Sequence, residues 1–408
     1  MKPIYVARQP IFELGRGLFG YELLYRRTPT IDRADGDTAV MTAEVIVHAM
    51  LGIGLKTIAG AQPAFVNFSR PLLLNRSWEL FERHAMIVEL LEDVPCDTEV
   101  VEACTELVAA GYRLALDDYV YADESLPLLQ LASIVKVDML GKLPNEIEAI
   151  TRQLRSIRPT GMRLLAERVE TTSVADYCAK LGYDLFQGYL FSRPETLTKT
   201  DVAIGQLAIM RLLNLLGNDA TTDSALEAAF QTDLALCYKL LRMVNAAAVG
   251  GRGISSIQHA VRLVGRQTLH RWLAVILVAS LGSQSDVSHE MALTAMTRGR
   301  MCELVVANAR RPTDAGSAFI VGLLSLLDVL LEVPMEKILE RIELSDDIRG
   351  ALVARGGPLA HPLRLVEEYE RANWSAAQEL AAQANVASDA LPEMYVNALC
   401  WARERFDD

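Results

Sequence analysis

The sequence predicts a (β/α)8 barrel of the TIM type followed by an all-helical domain, an α/β half joined to an all-α half, in a chain of 408 residues. Two features predict the barrel. Short β-type runs alternate with helix-sized segments through the first half, and nearly every run carries a polar residue towards its C-terminal end. One feature predicts the second domain: after Pro194 the strand signals stop and helical periodicity takes over. The length also exceeds what one ordinary core supports.

In order, the strand-like runs are YVARQPIF (5–12), FGYELLYR (19–26), AFVNFS (64–69), MIVELLED (86–93), YRLALDDY (112–119), SIVKVDM (133–139), RLLAERVE (163–170) and LFQGYLFS (185–192). Between them lie amphipathic stretches such as DTAVMTAEVIVHAML (37–51) and DTEVVEACTELVAAGY (97–112), the latter with Asp97 placed as N-cap and Gly111 as C-cap. The polar residues near the strand ends are Glu22, Asn67, Glu89, Asp117 and Asp118, Lys136 and Asp138, Glu167 and Gln187. A closed barrel gathers such ends at one mouth, where barrel active sites sit. An open sheet would spread them along an edge, with a crevice only at the switch point. A single carboxylate at a strand end often just caps the next helix or pairs with a lysine. Seven consecutive strands with acid, amide or amine groups at matching positions argue for a site.

The break falls in PETLTKTD (194–201), which gives a barrel domain over 1–195, a linker over 196–201 and a helical domain over 202–408. Helical segments are expected at 206–217, 222–231, 232–247, 256–265, 266–282, 289–309 and 315–333, with Thr232 and Asp233 as caps and Gly217, Gly265 and Gly282 as terminators. The Leu- and Ala-rich stretch 315–333 reads as core.

Hydrophobic residues make up 51% of the chain, a globular composition. The net charge of -12 argues against non-specific DNA binding, which wants a basic surface, yet allows a small anionic ligand held through metal ions. The six cysteines are scattered without a CxxC pair, as expected of reduced thiols. The N-terminus has no signal-peptide h-region, and the apolar run Trp272–Leu281 is too short to span a bilayer. The expectation is a cytoplasmic protein with neither DNA nor membrane as partner.

Three carboxylates and an amide at one mouth make an all-oxygen cage for a hard cation, Mg²⁺ or Mn²⁺, and the adjacent Asp117 and Asp118 suit a second ion or a bridge. A two-metal site activates water and stabilises the departing oxygen of a phosphodiester. Lys136 would orient the water or offset phosphate charge, and Arg26, four residues past Glu22, would fork onto a phosphate. In the helical half none of the histidines precedes an aspartate, so a His-Asp phosphohydrolase dyad is excluded; His259 and His270 read as core or surface residues.

The segments GYELLYR, VNFS, VELLE, LDDY, KVD, AERVE and FQGYLFSRP, in that order, resemble an EAL domain, the barrel family of bacterial cyclic-di-GMP phosphodiesterases. The resemblance covers about residues 3–195. It implies that Glu22 is the signature glutamate, with Leu23 in place of the usual alanine, and that Arg26 binds phosphate. It makes Asn67, Glu89 and Asp117 the other ligands of a first metal and Asp118 a ligand of the second. Lys136 and Glu167 would position the catalytic water, Gln187 would lie near the metal and substrate, and Glu92 and Glu170 would be supporting acids. Two departures stand out. The Phe-Gly and small-residue loop that follows the aspartate pair in active members is replaced by Tyr119-Val120-Tyr121-Ala122-Asp123-Glu124, and AEGVE reads AERVE, with Arg168 at the glycine. A misplacement near 1 Å costs roughly two orders of magnitude in rate, so ligands alone do not guarantee activity.

Further on, LLRMVNAA, ISSIQHAVRLVGRQTLHRWL and FIVGLLSLLDVLL resemble an HDOD domain over about 200–390, a relative of HD-type phosphohydrolases without their metal ligands. That implies a regulatory or protein-interaction module. The pair resembles the EAL-HDOD group of bacterial signal-transduction proteins, for which a homodimer is plausible. Three readings follow. The barrel binds or senses cyclic-di-GMP with weak or absent turnover, and the helical half passes the state to a signalling protein; or it is an active Mg²⁺/Mn²⁺ phosphodiesterase producing linear pGpG; or it acts on another phosphoester.

Overall fold

The structure, a computed structural model, describes residues 4–15, 17–27, 54–117, 125–157, 160–188, 204–218, 220–230, 265–282, 285–309, 314–331, 333–340, 342 and 344–406. The expected helices at 37–51 and 232–247, most of 256–265, the linker 196–201, the caps Thr232 and Asp233, His259, Asp118 and the loop after it lie outside the described residues.

All eight strand-like runs are strands: β1 (Ile4–Glu13), β2 (Leu18–Arg27), β3 (Ala64–Phe68), β4 (Met86–Leu90), β5 (Arg113–Leu116), β6 (Ile134–Asp138), β7 (Arg163–Glu167) and β8 (Leu185–Phe186). They close into a barrel in sequence order. It departs from an all-parallel circle at one place, since β1 runs antiparallel to both β2 and β8. The cause is connection length. Only residues 14–17 separate β1 from β2, enough for a hairpin, whereas a parallel crossover needs a dozen or more.

Helices α1 (Leu55–Ala59), α2 (Arg70–Leu74), α3 (Thr98–Ala109), α4 (Leu126–Leu131), α5 (Pro144–Ile157) and α6 (Thr172–Lys180) surround the strands. The Asp97 carboxylate caps α3 by accepting from the Val100 N–H at 2.9 Å, and Gly111, one residue past the C-cap Ala110, takes the left-handed backbone, φ 89°, that ends the helix.

The helical half contains α7 (Ile204–Gly217), α8 (Asp223–Phe230), α9 (Arg266–Gly282), α10 (Asp286–Ala307), α11 (Ala315–Leu324), α12 (Leu327–Leu331), α13 (Met335–Leu339), α14 (Asp346–Arg349), α15 (Ala360–Glu370), α16 (Trp374–Gln383) and α17 (Leu391–Phe406). The stretch 315–333, read as one helix, is two. Its break is at Ser325, whose hydroxyl donates to the Gly322 carbonyl at 2.7 Å and accepts from Arg298 Nη1 at 2.8 Å. Where α10 crosses α11, Gly322 lies so close to its neighbour that a Cβ there would stand 2.7 Å from Gly299 Cα. No described helix is long and apolar enough to cross a membrane.

The two halves share one strand. The outer part of the hairpin, Ile4–Ala7 paired with Leu24–Arg27, extends past the last β2–β3 pair, Leu23 with Val66. Tyr5 and Ala7 on that extension belong to the helical core. The Tyr5 ring lies 5.5 Å from Trp374, its hydroxyl donates to the Ser388 carbonyl at 2.7 Å, and Tyr369 donates back to the Val6 carbonyl at 3.2 Å. Arg403 of α17 reaches the Thr57 and Ile58 carbonyls of α1 at 2.8 and 2.9 Å.

Candidate functional site

The barrel interior is plugged by Ile11, Phe65, Ile87, Ala115, Ile134, Leu165 and Leu185. Side chains two residues apart on a strand share a face. Two residues beyond each plug residue on the parallel strands stand Asn67, Glu89, Asp117, Lys136, Glu167 and Gln187. On antiparallel β1 the same step runs backwards, from Ile11 to Gln9, which pairs with Glu22 of β2. Period-2 alternation thus stacks a ring of polar groups directly on the apolar plug.

At the ring's centre is the Lys136 ammonium. It lies 2.5 Å from Glu89 Oε1, 2.7 Å from Glu167 Oε1, 2.9 Å from Asp117 Oδ1 and 3.4 Å from Glu22 Oε1. Gln187 Nε2 donates to Glu22 Oε2 at 2.6 Å and to Gln9 Oε1 at 2.9 Å, which fixes the rim of the ring. Lys136 is 1% exposed and Glu89 0%. Burial alone would strip the lysine of its proton, but the surrounding Glu89, Glu22, Glu167 and Asp117 hold its affinity well above the ordinary range. The carboxylates divide differently. Burial raises Glu89 well above its usual range and pushes Glu167 up to about 8, against the pull of Lys136, with neighbouring acids adding to the rise. Four acids around one ammonium leave excess negative charge, so protons remain on the ring.

The structure therefore brings together Glu22, Asn67, Glu89, Asp117, Lys136, Glu167 and Gln187, as expected from the sequence. Arg26 lies in β2 with its backbone opposite Tyr5, its side chain outside the described part. Glu170 lines the cavity above the mouth, whereas Glu92 is exposed past the end of β4 and does not line it. Asp138 turns away from the ring: one oxygen accepts from the Leu140 N–H at 2.9 Å and the other meets Arg168 at 2.7 Å. Arg168 has φ 51°, a left-handed backbone that glycine adopts freely, which gives a physical reason for a glycine at this position in the resembling family. Beside it Gly188 packs on the backbone of Val169, where a Cβ would come within 2.3 Å of the Val169 nitrogen.

Do these donors suit a divalent cation? Their chemistry does: an all-oxygen set, excess acidity, and a buried Glu89 Oε2 with no hydrogen-bond partner among the described residues. Glu22, Asn67, Glu89 and Asp117 would hold it, and it would supply Lewis-acid polarisation of a phosphoryl oxygen and of water. Their positions are another matter. Among the described residues no three acidic, His or Cys side chains are grouped as a metal site, and the carboxylates are spaced around the ammonium instead.

Several residues at the site escaped the sequence reading. The mouth opens into a cavity of about 690 Å³ whose opposite wall is helical, formed by parts of α10, α12 and α15. At its edge Arg8 of β1 donates to Glu290 of α10 at 2.9 Å, Tyr21 donates to the other Glu290 oxygen at 2.6 Å, and the Arg8 guanidinium stacks 4.2 Å from the Tyr21 ring centroid. Deeper in the helical wall, buried Arg298 holds Glu370 at 2.6 Å and Ser325 at 2.8 Å. The available signal was a lone charge inside an apolar run: Arg8 in YVARQPIF, and Glu290 at the head of a largely buried helix. His270 is half-buried on α9, away from this cavity, and burial lowers its pKa.

Comparison with known proteins agrees with this architecture. The EAL domain family matches residues 41–194 and the HDOD domain family residues 206–343. The uncharacterized protein YuxH of Bacillus subtilis is 31% identical over 99% of this chain and 99% of its own. The cyclic di-GMP phosphodiesterase CdgJ of Vibrio cholerae is 30% identical over 99% of this chain and 93% of its own. Among solved structures, a manganese and cyclic-di-GMP complex of BlrP1 from Klebsiella pneumoniae is 24% identical, covering 47% of this chain and 56% of that one with a TM-score of 0.39.

Proposed function

The chain belongs to the EAL-HDOD signal-transduction proteins, and on that premise we propose that its barrel mouth binds cyclic-di-GMP as a receptor with little or no turnover. The observation that carries this reading is Lys136, seated within 2.5 to 3.4 Å of the described mouth carboxylates Glu22, Glu89, Asp117 and Glu167. An internal cation engages one oxygen each of Glu22, Glu89 and Asp117, three of the residues that would hold a catalytic metal. The ligand would enter the cavity above the ring, with Arg26 and Gln187 in its binding site.

A second reading, a phosphodiesterase dependent on Mg²⁺ or Mn²⁺, is favoured by the partnerless Glu89 oxygen and the protons retained on Glu89 and Glu167. A divalent ion would displace those protons, at the cost of moving Lys136. In that case Glu22, Asn67, Glu89 and Asp117 would be ligands, with Asp118 toward a second ion, and Lys136 and Glu167 would hold the attacking water.

The deciding experiment incubates the full chain with Mn²⁺ and cyclic-di-GMP beside a Glu22→Ala variant. Calorimetric binding without linear product supports the receptor. Linear pGpG from the wild type and none from the variant establishes the enzyme instead. Neither binding nor product removes cyclic-di-GMP as the ligand.

A further inference from the structure

We infer that the helical half completes the ligand site, and that Arg355 is its contact to a phosphodiester of the molecule held by the barrel mouth; this rests on the reading of the mouth as a cyclic-dinucleotide site. The mouth faces the 690 Å³ cavity, with Glu22, Lys136 and Glu167 on one wall and Arg298, Arg355 and Glu367 on the other. That volume suits one small organic ligand and lies within the usual range of about 300–1,000 Å³.

The charges say which wall supplies the remaining cation. A dinucleotide carries two negative phosphodiesters. Beyond Arg26, the described barrel-side cations are engaged: Lys136 is surrounded by four carboxylates, Arg168 meets Asp138 at 2.7 Å and Arg8 meets Glu290 at 2.9 Å. On the helical side the Arg355 side chain remains 52% exposed, 2.9 Å from Glu367 and within the field of Asp328, and Arg371, 46% exposed and 3.2 Å from Glu368, lines the same cavity. The Arg355 backbone is left-handed, φ 53°, at the end of the π-turn Gly350–Ala354. A phosphate in the cavity would take the fork of Arg355 bidentately, in place of Glu367.

That exchange reaches the interior. Glu367 also lies 3.5 Å from Arg298, which in turn binds Glu370 on the same helix and Ser325 at the α11–α12 break. Losing Arg355 leaves Glu367 to Arg298, so occupancy of the mouth alters a buried network joining α10, the α11–α12 break and α15. The helical half reads the ligand by touching it.

The test is calorimetry of the full chain with cyclic-di-GMP in Mg²⁺ buffer, the ligand's integrity checked by chromatography. Arg355→Gln should weaken binding about tenfold to a hundredfold, the loss expected for a charge-assisted pair. Arg355→Lys should recover part of it. Glu367→Gln, which frees the guanidinium, should bind as tightly as wild type or more so, whereas mere structural damage would weaken all three. Wild-type binding with unchanged affinity in Arg355→Gln overturns the shared site and leaves the barrel reading standing. No binding by the wild type overturns both.

Discussion

Lys136 and the four acids around it make opposite demands on protons, and the balance sets two measurable behaviours. The first is pH dependence. Glu167 is raised from 4.5 to about 8, chiefly by burial, so across that window the folded protein holds a proton that the unfolded chain has released. Stability without metal therefore falls as pH rises from about 4.5 to 8, by at most about 1.4 kcal/mol per pH unit for one such group. Urea melts in EDTA at pH 5.5 and 7.5 should show the drop, and Glu167→Gln should reduce it, the remainder belonging to Glu89, which burial also raises; a variant slope equal to the wild type's would refute the proton retained on Glu167. The second behaviour concerns the ammonium itself. Lys136→Met leaves buried carboxylates without their counter-charge, a loss of about 3–5 kcal/mol when one partner of a buried pair is removed. Because the oxygens suit a hard divalent ion, Mn²⁺ should restore much of the melting temperature in this variant and raise it more than in the wild type. Equal Mn²⁺ effects on both proteins would mean that the ring does not accept the ion.

At the scale of elements the β1–β2 hairpin joins the halves, and its pair Arg8–Glu290 is 4% and 1% exposed at the side chains. Glu290→Ala removes the partner of Arg8 and the acceptor of the Tyr21 hydroxyl together, so a cost of about 3–5 kcal/mol is expected. The double change Arg8→Met with Glu290→Leu should recover most of it, since an apolar pair of similar volume avoids the desolvation of two charges. Chemical denaturation of both variants checks this, and an additive double variant would deny that the two residues act as a pair. The hairpin also marks where sequence reading stopped. Each strand was legible because apolar alternation is local, and the mouth residues were legible because the same period that buries Phe65 or Ile134 aims Asn67 or Lys136 one layer above. Strand-helix alternation suggests parallel pairing throughout, and the antiparallel course of β1 follows instead from the short 14–17 connection. The break at Ser325 was hidden because the apolar periodicity of 315–333 runs unbroken through it, and what splits the helix is Arg298, from a different helix. Arg8 and Glu290, 282 positions apart, announce themselves only as misplaced charges, and nothing local says that they meet. The position of Lys136 at the centre of the ring, which decides the electrostatics, depends on five strands at once.

Across the whole molecule, adjoining domains move independently by default unless a large apolar interface binds them. Here Tyr5 and Ala7 of the first strand are part of the helical core, Tyr369 and Arg403 bond back to β1 and α1, and the cavity has one wall from each half. Opening one half would strip β1 of its packing, and without β1 the barrel cannot close. The two halves should therefore unfold in one cooperative transition despite their different architectures. The tryptophans make this testable. Trp78 is buried in the barrel against Tyr112, with ring centroids 4.9 Å apart, while Trp272, Trp374 and Trp401 lie in the helical half. Fluorescence of a Trp78→Phe variant reports the helical half alone, and subtraction from the wild type reports the barrel. Coincident urea midpoints, matched by far-UV circular dichroism, are expected in both traces. Two separated midpoints would show that the shared strand does not couple the halves, and the path from ligand through Arg355 to the helical network would then join two bodies free to part.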